Sequence, residues 1–553
     1  MQHSGPFSSN NRPFILACVA IVSGAAFLRF YHLGTEELWL DEAISAHLID
    51  KADWTVLENN TPPLYYTLLK LWSLLVGTSE FALRSLSALA GSLFVLATIW
   101  LGKEIFNRSV GLWSGLFVAV NPMAIYYSQE ARAYALLLLL LALAYATLWI
   151  ALAKGSGRHW LLFAVFALLA LYSHYLSLLA LVPTAILVLL WPGQEQKGRP
   201  WLYYGCAVVL CAVLFLPMVA FKFGAAGQVV GVSWLDRIWR ESSPWLLIPQ
   251  SLEVFGLGGQ SQLTLVRLKQ LTDMEFPLWF RISGISMLGL LMVAALIPQG
   301  DRRLGVPWIG RRKIWLVTLV GVPLLLLLGI SFVRPLYVVG RYDMIGFPAY
   351  ALLLGLGAAK IQRMGRFGSL LMWTIAVCLF GVFGTKLFYY YRIATPARFA
   401  NARATASFLA ANANNGDVAV FTGLRSAPVI YYLQRLGYGW SAGRCADEIN
   451  GRNFGCRTFP RETESHLGAY ESERVRNSRD EVRADLDGIV RGLGNRNSSL
   501  WIVLEPQRVE SRRILLQPVD NSLITELKGL GYTLRHLRGE LRIFQFGKTS
   551  APN

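Results

Sequence analysis

The chain has 553 residues, 54% of them hydrophobic and 16% charged, where a soluble protein usually carries about 25% charged residues; the imbalance excludes a single soluble core and points to a polytopic membrane protein. Its 52 basic and 34 acidic residues leave a net charge of +18, which alone would permit a nucleic-acid partner. No Gly-rich phosphate loop, zinc spacing or aromatic RNA platform accompanies that charge, and the basic residues fall where cytoplasmic loops place them, so no nucleic acid is expected.

In chain order, the apolar run from Phe14 to Phe30 reads as a retained membrane anchor rather than a cleaved signal. Apolar runs near the ~20 residues needed to cross a bilayer recur at 14 to 32, 82 to 101, 110 to 126, 133 to 153, 160 to 173, 176 to 191, 201 to 221, 278 to 297, 314 to 332, 343 to 359 and 368 to 388, about eleven in all. The remaining apolar segment, "PPLYYTLLKLWSLLVG" at 62 to 77, is assigned to an interfacial or re-entrant helix. Pro62 and Pro63 suit a helix start there, and Tyr65, Tyr66, Lys70 and Trp72 suit an interface. Counting it as a span would set the later loops against the positive-inside tendency.

With that choice Lys103 and Arg108, Lys154 and Arg158, Lys197 and Arg199, the stretch "QGDRRLGVPWIGRRK", and Lys360, Arg363 and Arg366 all fall inside. The opposite face collects 33 to 81, turns near 127 to 132, 173 to 176 and 333 to 342, a long loop at 222 to 277, and everything after about 389. Residues 1 to 390 thus read as a transmembrane domain. Residues 391 to 553 read as a soluble extracytoplasmic α/β domain, with strands in "NNGDVAVFTG", "SSLWIVLEP" and "ELRIFQFG", a helix in "SAPVIYYLQRLG", and a solvated arginine-rich middle at 471 to 496. Four cysteines, Cys18, Cys206, Cys211 and Cys378, sit in apolar runs as small hydrophobes. Cys445 and Cys456, eleven apart in a polar segment, suit a disulfide if that segment faces an oxidising compartment.

The predicted outer face gathers the candidate chemistry. Asp41 and Glu42 follow the first span in an acidic loop. In "YYSQEARAYA", Gln129, Glu130, Arg132 and Tyr134 interrupt an apolar hairpin; ionisable groups at such a mouth line a cavity or bind substrate, because leaving them against lipid costs several kcal/mol. An internal pair between Glu130 and Arg132 is the structural alternative. His174 caps another hairpin, as a hydrogen-bonded structural residue or a ligand. Arg334 and Arg341, in "VRPLYVVGRYDMIGFP", lie outside against the charge bias; they meet an anion there or snorkel to headgroups. A carboxylate can deprotonate an acceptor hydroxyl or amine while arginines stabilise a departing phosphate, which needs no separate general acid. That is the chemistry of glycosyl transfer from a polyprenyl-phosphate sugar.

The ordered set "LRFYHLGTEELWLDEA", "PPLYYTLLKLW", "SEFALRSLSALAG", "NPMAIYYSQEARAYAL" and "GRYDMIGFPAYALL" resembles the successive signatures of the GT-C class of membrane glycosyltransferases. Within it, the family 39 type is the nearest in pattern, related to protein O-mannosyltransferases and to the aminoarabinose transferase acting on lipid A. The resemblance covers roughly residues 14 to 390. It implies Asp41 as the catalytic carboxylate with Glu42 beside it, and Arg132, Arg341 and Tyr342 at the donor phosphate; Pro63, Tyr65, Gln129, Glu130, Tyr134 and His174, on the same predicted face, are expected to line the substrate pocket. It further implies an inverting reaction at the extracytoplasmic face of the plasma (inner) membrane, with no nucleotide sugar. The acceptor is left open among lipid, glycan and protein. No cofactor is required, although Asp41 and Glu130 would suit a divalent metal. The chain has "NNTPPLYY" where many relatives carry a histidine before the two prolines, and it lacks the luminal MIR domain, so protein mannosylation is not implied. A lipid or polysaccharide flippase is the competing reading; it would usually show paired repeats or broken helices in corresponding halves, and neither is visible.

Overall fold

The computed structural model describes residues 11–50, 62–191, 199–225, 242–258, 277–297, 308–394, 401–422 and 426–441, then 444–447, 453–459, 498–503, 527–538, 543–548 and a few short pieces between. The basic stretch at 299–307, most of the outer loop 222–277 and nearly all of 471–496 lie outside the described residues. The helices are α1 (Arg12–Phe30), α2 (Leu40–Asp50), α3 (Leu64–Val76), α4 (Glu80–Ile105), α5 (Arg108–Val120), α6 (Pro122–Ser128), α7 (Tyr134–Lys154) and α8 (Gly157–Ser173). A 3-10 turn, Tyr175–Ala180, leads into α9 (Leu181–Leu189); α10 (Pro200–Ala225), α11 (Pro244–Leu257), α12 (Leu278–Leu296), α13 (Trp308–Val333), α14 (Phe347–Gln362) and α15 (Gly365–Tyr389) follow.

Among the described residues, eight helices are long and apolar enough to cross a bilayer, and α5 with α6, bent by 62°, counts as a ninth. The other two expected spans, at 160 to 173 and 176 to 191, form the shorter apolar helices α8 and α9 with its 3-10 turn. α3 has 13 residues, about 20 Å of helix against a ~30 Å hydrocarbon core. It buries Tyr65, Tyr66 and Leu69 and leaves Leu71, Leu74 and Leu75 exposed, as a helix lying along the membrane would. α11 sits inside what the sequence reads as loop, and its exposed Trp245 and Leu246 continue the apolar surface.

Side-chain caps start the central helices. Ser79 Oγ accepts from Ala82 N at 3.2 Å and Asn107 Oδ1 from Val110 N at 3.1 Å. Asn121 caps α6 through Ala124 N at 3.0 Å, with Pro122 at the first helical position. The bend between α5 and α6 leaves carbonyls of the last turn of α5 without helical donors. Arg29, fully buried on α1, supplies them: its guanidinium donates to Val118 O at 3.0 Å and Ala119 O at 2.9 Å. Close helix approaches use small residues; a Cβ on Gly111 would strike the carbonyl of Ile99, and one on Gly357 the carbonyl of Leu291.

The turns segregate to two ends of the bundle. At one end Arg312 donates to Ile105 O at 2.9 Å, Lys360 to Ala295 O at 2.7 Å and Lys313 to Ile297 O at 3.1 Å. These are basic segments predicted to lie inside. The acidic loop and the turns near 130, 174 and 341 meet at the other end.

After α15 the chain forms a mixed sheet flanked by α16 (Ala402–Asn412) and α17 (Ser426–Arg435). Its strands are β1 (Val418–Thr422), β2 (Tyr438–Ser441), β3 (Arg444–Asp447), β4 (Asn453–Phe459) and β5 (Leu500–Val503), with β6 (Val509–Glu510) and β7 (Arg513–Ile514) as a separate hairpin, then β8 (Tyr532–Arg538) and β9 (Ile543–Lys548). The seven-stranded order is β2-β3-β4-β1-β5-β9-β8, with β1 parallel to β4 and β5 and the other pairs antiparallel. The three strands and the helix read from the sequence all form. Cys445 on β3 and Cys456 on β4 are disulfide-bonded and buried.

Candidate active site

Asp41 stands in the first turn of α2. Its Oδ2 accepts from Arg341 Nη2 at 2.6 Å and lies 3.9 Å from Arg132 Nη2. The Asp41 side chain is 19% exposed and the two arginines 12% and 11%, so the cluster is sheltered yet reachable. Arg132 Nη1 donates to Tyr66 Oη at 2.9 Å, and Arg341 Nε donates to Tyr134 Oη at 2.6 Å. The Arg341 guanidinium also lies over the rings of Tyr134 and Tyr342, 5.5 and 5.7 Å from their centroids. Two helices, α2 and α3, and two turns, near 132 and 341, all distant in sequence, thus deliver one carboxylate, two guanidinium groups and a wall of phenols.

His174 closes the aromatic side, its ring 5.7 Å from that of Tyr342 and 6.1 Å from that of Tyr134. Its Nδ1 accepts from Leu176 N at 3.2 Å, capping the 3-10 turn. Burial, reinforced by repulsion from Arg341 and Arg132, lowers its pKa to about 4, so the imidazole is neutral at pH 7. Burial alone would lower the pKa of both arginines, but Tyr66 and Asp41 around Arg132, and Tyr134 and Asp41 around Arg341, shift them upward. Both remain charged. The turn carrying Arg341 is pinned by Asp343, whose Oδ2 accepts from Gly340 N at 3.0 Å. Tyr127 donates to the Gly340 carbonyl from the opposite side.

Several residues expected in the pocket take other places. Glu42 does not share the exposed face with Asp41: one helical position is a 100° rotation, and its side chain is 1% exposed. Arg84 Nε donates to its Oε1 at 2.8 Å and Arg84 Nη2 to its Oε2 at 2.7 Å, while Ala131 N reaches Oε1 at 2.9 Å. Glu42 therefore ties α2 to α4 and to the turn bearing Arg132. Gln129 turns away as well; its amide donates to the carbonyls of Arg29 at 3.0 Å and Tyr31 at 2.9 Å, the end of α1. Tyr65 is fully buried with its hydroxyl 2.8 Å from Ser87 Oγ, which in turn donates to Arg132 O at 3.2 Å. The neighbouring Tyr66, read only as an interfacial residue, is the phenol that meets Arg132. Pro63 caps α3 and so sets the start of the helix that carries Tyr66. Glu130 is buried beside Tyr127.

Arg84 is the functional support that sequence reasoning passed over. It also donates to the carbonyls of Leu33, Glu36 and Glu37 at 2.8 to 3.0 Å, folding the acidic loop around itself. The signal was an arginine at the head of the apolar run in "EFALRSLSALAG". Among the described residues, no three His, Cys, Asp or Glu side chains converge in a way that could hold a metal ion.

Residues 60–221 match the family model described as dolichyl-phosphate-mannose-protein mannosyltransferase. No curated protein sequence matches the chain. Among solved structures, ArnT from Cupriavidus metallidurans bound to undecaprenyl phosphate superimposes with a TM-score of 0.59 at 13% identity, covering 97% of this chain and 99% of that one. The apo state of the same protein gives 0.54 at 12% identity, covering 97% and 98%. The chain therefore has the GT-C fold, and the resemblance carried by its ordered motifs, to the O-mannosyltransferases and the lipid A aminoarabinose transferase, is borne out.

Proposed function

We propose that this GT-C membrane protein transfers a glycosyl group from a polyprenyl-phosphate donor to an acceptor hydroxyl or amine, with Asp41 as general base and Arg132 and Arg341 receiving the phosphate. The observation that carries the reading is the convergence of Asp41 with Arg341 across 300 positions of chain, with Arg132 beside them. Two guanidinium charges and one carboxylate leave a net positive charge, which suits a phosphate leaving group better than a divalent cation. We therefore assign charge stabilisation to the arginines and require no metal.

In this reaction the acceptor O–H or N–H gives its proton to Asp41 as its lone pair attacks the anomeric carbon. The bond from that carbon to the phosphate oxygen breaks on the opposite side, so the anomeric centre inverts. The electron pair leaves on the phosphate, held by the planar forks of Arg132 and Arg341. Neutral His174 and the rings of Tyr134 and Tyr342 wall the pocket. The mannosyltransferase family match favours a hexose donor, carried on a lipid phosphate of the kind bound in the ArnT structure. The site, the acidic loop and the sheet domain are assigned to the extracytoplasmic face of the plasma membrane, because the basic turns gather at the other end of the bundle.

The test is to incubate purified protein with a panel of polyprenyl-phosphate sugars and with lipid, glycan and peptide acceptors, reading products by mass spectrometry. A glycosidic product together with free polyprenyl phosphate supports the reading. Donor movement across vesicles with no bond formed would favour the flippase instead.

A further inference from the structure

α2 has 11 residues, too few to hold a helix in water without tertiary support, and much of that support comes from the C-terminal sheet domain. One buried apolar cluster runs across the junction, joining Leu38, Ala43 and Ala46 at α2 with Ala406 and Leu409 of α16 and Val429 and Leu433 of α17. Polar contacts fix the register. Leu38 N donates to Tyr432 Oη at 2.8 Å, and the Glu37 carboxylate caps α16, accepting from Ala402 N at 2.7 Å and Arg403 N at 3.2 Å. Glu80, the first residue of α4, takes Arg403 Nη2 on one oxygen and Arg435 Nη1 on the other, each at 2.7 Å. Tyr431 Oη donates to Thr78 O at 2.7 Å beside it.

Glu80 lies one helical turn before Arg84, the residue that holds Glu42 and the acidic loop. Contact thus continues from Arg403 and Arg435, through Glu80 and α4, to Arg84, Glu42 and the turn that bears Asp41. We infer that the C-terminal domain is a positioning element for the reaction, with Glu80 and its two arginines as the positioning residues that hold Asp41 against Arg341. The inference rests on the proposed role of Asp41. None of these three residues touches Asp41 or the phosphate-binding arginines in the contacts above, so donor binding and base placement are separable.

The experiment uses the full chain as Glu80→Arg, Arg435→Glu and the charge-swapped pair, measuring kcat and donor KM together with amide hydrogen exchange of residues 40–50. Each single variant should lower kcat about tenfold or more, since small misplacements of a reacting group are costly, with donor KM within about threefold. It should also speed exchange in α2 about tenfold, as local opening becomes easier. The charge-swapped pair should recover both in part, because Arg403, 2.7 Å from the Glu80 carboxylate in the parent, still faces position 80 as a like charge. Unchanged exchange and kcat in the single variants would overturn the inference, as would a rise in donor KM with kcat intact, which would assign the junction to donor binding. If the parent protein forms no glycosidic bond, the function assigned to Asp41 fails, and exchange alone still decides whether the domain orders α2.

Discussion

Arg341→Lys keeps the charge at the centre of the site and removes its geometry. The guanidinium makes two bonds at 2.6 Å in different directions, Nη2 to Asp41 and Nε to Tyr134, while lying over two aromatic rings. A lysine ammonium on a flexible stem can retain one of these partners but does not reproduce the planar fork. Losing one hydrogen bond to a charged group costs about 1.5–3 kcal/mol, and weakening the ring contacts about 0.5–1 kcal/mol more. The sum, roughly 2–4 kcal/mol, corresponds to a fall in kcat/KM of about 30-fold to 10³-fold. Initial rates over a range of donor concentrations measure it. Tyr134→Phe removes the partner of Nε, so combining it with Arg341→Lys should cost less than the sum of the two. A lysine variant within about threefold of the parent would refute the argument that the fork holds the phosphate.

Glu42→Gln leaves Arg84 buried without its carboxylate, and breaking a buried pair costs about 3–5 kcal/mol; thermal unfolding of the purified protein should show a large loss of stability, and an unchanged midpoint would remove Glu42 from its structural place. For orientation, cysteine at exposed Thr35 should label in intact cells and cysteine at exposed Met364 only after permeabilisation; the reverse pattern would invert the assignment of faces.

The eleven apolar segments were legible because each carries its own length and hydropathy, and the charges between them sorted the turns to two ends. Asp41, Arg132 and Arg341 were legible for a related reason: each is a charge that the membrane would otherwise penalise, and the same penalty drives them together. Which neighbour faces the pocket was not. Glu42 follows Asp41 directly and Tyr65 precedes Tyr66, and only the phase of each helix against its partners decides which side chain turns inward. Gln129 went to the end of α1 because carbonyls at Arg29 and Tyr31 need donors there, a demand that no local pattern announces. Arg84 and Glu80 act through partners 42 to 355 positions away, a separation at which periodicity carries no information. α11 was hidden inside a long loop, where two prolines and a short apolar run made an ambiguous pattern.

The central claim is that Asp41 is the base in a transfer from a lipid phosphate, and Asp41→Asn addresses it with least disturbance, since an amide keeps the shape and an oxygen for Arg341. Loss of general base catalysis should cost about 10²-fold to 10⁴-fold in turnover. Binding of polyprenyl phosphate, held by Arg132 and Arg341, should survive. The measurement is single-turnover glycosyl transfer by the purified Asp41→Asn protein at saturating donor, beside a binding isotherm for the lipid phosphate. Transfer reduced at least a hundredfold with binding retained is the predicted result; transfer at the parental rate would contradict the account.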